Sequence, residues 1–138
     1  MAIAKWGTAQ VRSANLASTT LNSLANGSES TRVTYDNSST RNLYGFITVK
    51  LGSITPSTGG SISIRVTATD GTDLGDAAVG GDLYTAALTT TTSSKIVNFP
   101  LVRLYPFSLR FSIVNNSGVT LAASGNEIYV TDFNEEVV

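Results

Sequence analysis

The chain contains no cysteine and no histidine. The missing histidine removes the commonest general base and with it the Ser-His-Asp arrangement, and the missing cysteine removes thiol catalysis, ordinary zinc sites and any disulfide framework. Charge is also sparse. Charged residues make up 14% of the sequence and the formal net charge is −1, where a typical domain carries about 25% charged residues. Its nine Lys and Arg residues are scattered singly, so no basic stripe is present to neutralise several phosphates, and nucleic acid is not an expected partner. No apolar run has the length of a signal peptide or a membrane span. The opening stretch "MAIAKWGTAQVRSANLA" is interrupted throughout, so no membrane partner is expected and folding in the cytosol is. A Gly-rich turn ending in Gly-Lys-Ser or Gly-Lys-Thr is missing too, which argues against nucleotide hydrolysis, and no cofactor is implied.

What remains is a chain of 138 residues, 41% hydrophobic, long enough for one core and too short for two ordinary domains. About a quarter of its residues are Ser or Thr, so its surface is kept polar by hydroxyls rather than by charge. From residue 31 onward the hydrophobic period is 2, the mark of half-buried antiparallel strands. In "SISIRVTAT", Ile62, Ile64, Val66 and Ala68 share one face. In "LYGFITVKL", Leu43, Gly45, Ile47, Val49 and Leu51 oppose Tyr44, Phe46, Thr48 and Lys50. In "FSLRFSIV", Phe107, Leu109, Phe111 and Ile113 point inward. Shorter strands are expected at "RVTY", "LYTAALTT", "KIVNF", "GVTLA" around Leu121 and "EIYVTDF", giving about eight. Between them, "DNSSTRN", "TPSTGG", "DGTDLGDAAVGGD", "NNSG" and "SGN" offer Gly, Asn and Asp where a positive φ is needed.

Many short strands with no helix between them predict an all-β fold: an antiparallel β-sandwich, jelly-roll-like, over residues 31–138. Residues 1–30 lack sustained alternation. They are read as an extended N-terminal arm leading into a first strand, although Leu16, Leu21 and Leu24 also suit a short helix or a bent strand. Trp6, the one tryptophan, falls in this arm. It suits either a buried cap on the sandwich or an anchor into a partner subunit, since Trp is enriched at interface hot spots.

Catalytic groupings are thin. Asp36, Asp70, Asp73, Asp76, Asp82, Glu127 and Asp132 offer carboxylates for a glycosidase-like pair, but most sit in turn sequences where Asp serves local hydrogen bonding. The run "DGTDLGD" spaces Asp70, Asp73 and Asp76 three apart, which suits a hard cation. It lacks the alternate spacing of an EF-hand loop and reads more simply as a connection. Ser124, between two Gly-containing turns, has no histidine to activate it and reads as a turn residue. No enzyme is expected. Sugar binding is harder to set aside, with Tyr44, Phe46, Tyr84 and Tyr129 as platforms by face parity, but the first reading of these rings is that they cover the second sheet or an interface.

The stretches "LNSLANGSES", "DNSSTRNLYGFITVKL", "TGGSISIRVTATDGTD" and "PLVRLYPFSLRFSIVNNSGVTLAASGNEIYVTDFNEEVV" resemble small tailed-bacteriophage head decoration or cement proteins with a jelly-roll-like sandwich. The resemblance spans most of the chain after residue 15. It implies a virion structural protein that binds the outside of a phage capsid and bridges its subunits, with the major capsid protein and further copies of itself, as a dimer or trimer, for partners. Lys5, Trp6 and Arg12 of the arm are then the expected capsid or subunit contacts. Such a protein is assembled in the host bacterial cytoplasm and resides on the capsid surface. The alternative is a carbohydrate- or receptor-binding module of a phage tail or fibre.

Overall fold

The computed structural model describes residues 4–6, 14–17, 19–68 and 84–137. Ten strands run through them: β1 (Ala4–Trp6), β2 (Ala14–Ala17), β3 (Val33–Asp36), β4 (Tyr44–Ile54), β5 (Ser61–Ala68), β6 (Tyr84–Ala87), β7 (Ser93–Arg103), β8 (Ser108–Asn116), β9 (Glu127–Phe133) and β10 (Glu135–Val137). Two four-stranded sheets, ordered β2-β9-β4-β7 and β3-β8-β5-β6, contain only antiparallel pairs, and β1 and β10 form a separate two-stranded ribbon. The molecule is an antiparallel jelly-roll-like β-sandwich, as the alternation predicts.

Parity explains the core. Ile47, Val49 and Leu51 of β4, Val97 and Phe99 of β7, and Ile128 and Val130 of β9 face Val33 and Tyr35 of β3, Ile62 and Ile64 of β5, and Leu109, Phe111 and Ile113 of β8, all buried in one cluster. Burying each such side chain stabilises the fold by roughly 1.5–3 kcal/mol. The inward face of β4 stops at Gly45, because Leu43 is exposed.

Three expectations need correction. The stretch around Leu121 is not a strand: residues 117–126 form a loop, although Leu121 itself is buried and its amide bonds the Leu24 carbonyl at 3.0 Å. The predicted "KIVNF" strand continues through Pro100 to Arg103. Proline is tolerated there because β7 is an edge strand and its register with β4 slips between Gly45 and Ile47, opposite Val102 and Phe99. Among the described residues Asn and Asp do not supply the left-handed positions, which are Gly27, Gly59, Gly118, Gly125, Ser23 and Arg41.

The asparagines act as clamps instead. Buried Asn37 donates to the carbonyls of Asn42 and Tyr105, both at 2.8 Å, and accepts from the Thr40 hydroxyl and the Asn42 amide. Asn115 holds the Leu24 and Val119 carbonyls, and Asn126 holds Asn22, the Ala122 carbonyl and the Gly52 amide. These bonds satisfy loop backbone that no sheet ladder reaches.

Among the described residues the first thirty contribute no helix. β2 is the edge strand of the first sheet, beside β9.

Candidate functional site

The outer face of the β2-β9-β4-β7 sheet carries side chains of opposite parity to the core. Antiparallel register arranges them in rows. Phe133, Tyr44 and Arg103 form the first row; Thr131 and Phe46 lie in the second; Tyr129, Thr48 and Asn98 in the third; and Glu127, Lys50 and Ile96 in the fourth. Tyr44 and Phe133 stack with ring centroids 5.6 Å apart at 29°, within the range for attractive aromatic pairs. The Tyr44 hydroxyl donates to Glu135 Oε1 at 3.2 Å. Phe46 is 37% exposed in the middle of the face, and Ile96 is 61% exposed at its β7 edge.

Polar groups fill the spaces between rings. Thr48 Oγ1 donates to Asn98 Oδ1 at 2.9 Å, and Lys50 Nζ pairs with Glu127 Oε2 at 3.2 Å. A partly exposed pair of this kind adds little stability, about 0–1 kcal/mol. It does place a donor cation and an acceptor anion side by side on the surface.

Three of the four aromatics singled out in the sequence, Tyr44, Phe46 and Tyr129, therefore share this face. Tyr84 does not. It lies on β6 of the other sheet and packs against the core, because its register partner Ile64 points inward and cross-strand partners share a face. Phe133 joins the group without having been singled out. The signal was present, since Phe133 follows Tyr129 by four residues in "EIYVTDF" and period 2 puts both on one side.

Lys5 and Trp6 lie on β1, opposite Glu136 and Glu135 of β10, and Arg12 lies outside the described residues. Asp70, Asp73, Asp76 and Asp82 lie outside them as well. Among the described residues no cluster of three or more acidic side chains is placed to hold a metal ion.

The remaining acids with described side chains are engaged singly. Asp36 is exposed and accepts the Ser38 amide at 2.9 Å, which holds its carboxyl below the usual range. Buried Asp132 accepts the Tyr35 hydroxyl from the opposite sheet. Burial and this bond both push the Tyr35 hydroxyl up. Glu29 accepts from Ser112 Oγ at 2.5 Å and from Arg65 Nη1 at 2.6 Å, with Arg32 at 4.0 Å. The Ser112 bond is the main reason its carboxyl lies below the ordinary value, with Arg65 and Arg32 adding to it. Ser124 is an exposed residue of the loop after Leu121.

No protein-family model matches the chain, and no curated protein matches it in sequence. Solved structures do share the fold. A family 35 carbohydrate binding module from an environmental isolate superposes with a TM-score of 0.51 at 13% identity, covering 85% of this chain and 74% of that one. A family GH115 4-O-methyl-alpha-glucuronidase with specificity for decorated arabinogalactans superposes with a TM-score of 0.52 at 13% identity, covering 80% of this chain and 14% of that much longer one. At this identity the likeness is one of fold.

Proposed function

We propose that this chain is a non-catalytic carbohydrate-binding module whose outer β9-β4-β7 face receives the glycan. The carrying observation is the set of four aromatic rings, Tyr44, Phe46, Tyr129 and Phe133, on one face and interleaved with hydroxyl, amide and charged groups. A sugar ring needs both: a flat apolar surface for its C–H face and nearby donors and acceptors for its hydroxyls. The fold shared with a family 35 carbohydrate binding module supports the same reading. A glycan array probed with the purified protein tests it. Saturable binding to at least one class of glycan is expected, and silence across the array would refute it.

A second reading, decoration of a phage head, draws on the exposed aliphatics. Ile96 and Leu43, exposed at 61% and 42%, suit a protein contact better than a sugar, because a branched aliphatic chain offers a glycan no flat platform. In this reading further copies of the chain and the major capsid protein cover the face and its edge, and Lys5, Trp6 and Arg12 reach a neighbour. Co-sedimentation with phage heads lacking the protein separates the two. Repeating occupancy of heads without glycan affinity would favour decoration.

A further inference from the structure

We infer that the glycan is an extended, uncharged polysaccharide chain laid along the strands, an inference that rests on the carbohydrate-binding reading above. The rows described for the outer face succeed one another every two residues along β4, from Tyr44 through Phe46 and Thr48 to Lys50. At about 3.4 Å per residue this is a track of roughly 20 Å. The rings are spread along it rather than gathered round one point: the Tyr44–Phe133 stack at one end, Phe46 on β4 next, and Tyr129 on β9 beyond it. A single sugar covers one row and leaves the others bare, whereas a ribbon-like chain presents successive ring faces to successive rows. Hydrogen-bonding groups accompany each step. Thr131 lies beside Phe46, and Asn98, exposed and held by the hydroxyl of buried Thr48, lies in the row of Tyr129.

The charge pattern selects against an acidic chain. A polyuronate repeats its carboxylates along its length and needs cations repeated along the track. The rows of Phe46 and Tyr129 offer hydroxyl and amide groups, and Lys50 in the last row is already paired with Glu127 at 3.2 Å. Arg103, exposed beside Tyr44 on the edge strand, is the one other cation of the rows and stands in the first of them, three rows from Lys50, so cations are not repeated from row to row. Side by side, the ammonium and carboxylate of Lys50 and Glu127 suit a neutral hydroxyl, which both donates and accepts.

Titration calorimetry with cello-, manno- and xylo-oligosaccharides from monosaccharide to hexasaccharide, and with polygalacturonate, tests this. For at least one neutral series the hexasaccharide is expected to bind more than tenfold more tightly than the disaccharide. Tyr129→Ala should weaken the hexasaccharide by about tenfold, the scale of one lost ring contact, and leave the shortest bound ligand unchanged. Phe46→Ala should weaken every length, because its ring lies mid-track. A monosaccharide that binds as tightly as the hexasaccharide, or a preference for polygalacturonate, would overturn the inference and leave the carbohydrate-binding reading standing. Failure of every glycan, here and on an array, would remove both.

Discussion

Tyr35 and Asp132 meet between the two sheets, one from β3 and one from β9, with Thr40 and Asn42 also beside the Tyr35 hydroxyl. Removing the hydroxyl with Tyr35→Phe takes a donor from a buried carboxylate, so unfolding in urea should show a loss of ~1–3 kcal/mol. The pH dependence has a definite sign. The folded state holds the Tyr35 hydroxyl above its ordinary value of 10.0, so its contribution is fully present below that value and is lost as pH rises beyond it. Alkaline melts should therefore fall more steeply for the wild type than for Tyr35→Phe. Glu29 has the opposite sign. Its carboxyl lies below the ordinary 4.5, so its contribution is present above that pH and fades as the solution is acidified through the lower folded value. Glu29→Gln should flatten the acid limb of a plot of melting temperature against pH. None of these partnerships could be read from the sequence. Tyr35 and Asp132 are 97 positions apart, and only the stacking of one sheet on the other brings them together. The asparagine clamps were hidden for a similar reason: Asn37, Asn115 and Asn126 look like turn formers until their partners in distant loops are known.

Alternation made the long strands legible. In β4, β5, β8 and β9 the inward residues are those that period 2 selects, and the outer aromatic face follows from the same parity. Strand order was not legible, because alternation says which way a side chain points and nothing of which strand lies beside it. That is why period 2 alone groups Tyr84 with Tyr44, although it belongs to the other sheet. The loop after β8 shows the limit of a short pattern: Val119 and Leu121 alternate like a strand, yet the segment is held by Asn115, Asn126 and the Leu24 carbonyl. It also presses on β4. A Cβ built on Gly52 would lie 2.2 Å from the Ser124 carbonyl oxygen and 2.7 Å from the Ala122 Cβ. Gly52→Ala must push the loop away or shift the strand, and should cost about 1–3 kcal/mol in denaturant unfolding. Gly125, with a φ of +78°, completes the same contact from the loop side, since it needs a backbone conformation that side chains disfavour.

At the scale of the whole molecule, the sandwich turns the aromatic rows of the β2-β9-β4-β7 sheet away from the core. The aromatics of that face contribute little to the core, so surface and stability should separate. Phe46→Ala, at a site already 37% exposed, should leave the melting temperature close to the wild type, within about 0.5 kcal/mol of stability, while glycan binding falls. Composition offers few of the familiar catalytic arrangements, because the chain has neither His nor Cys. The resemblance to head decoration proteins puts a capsid first and a glycan second, whereas the carbohydrate-binding proposal rests on the aromatic face; aromatic and aliphatic side chains on a sheet surface serve either partner. The most direct test is a two-dimensional NMR titration of the labelled protein with a soluble neutral polysaccharide. Saturable shifts confined to amides of β4, β7 and β9, with those of β3, β5, β6 and β8 unmoved, are the expected result. Shifts centred on the opposite sheet around Arg65 and Arg110, or no shifts at all, would contradict the account.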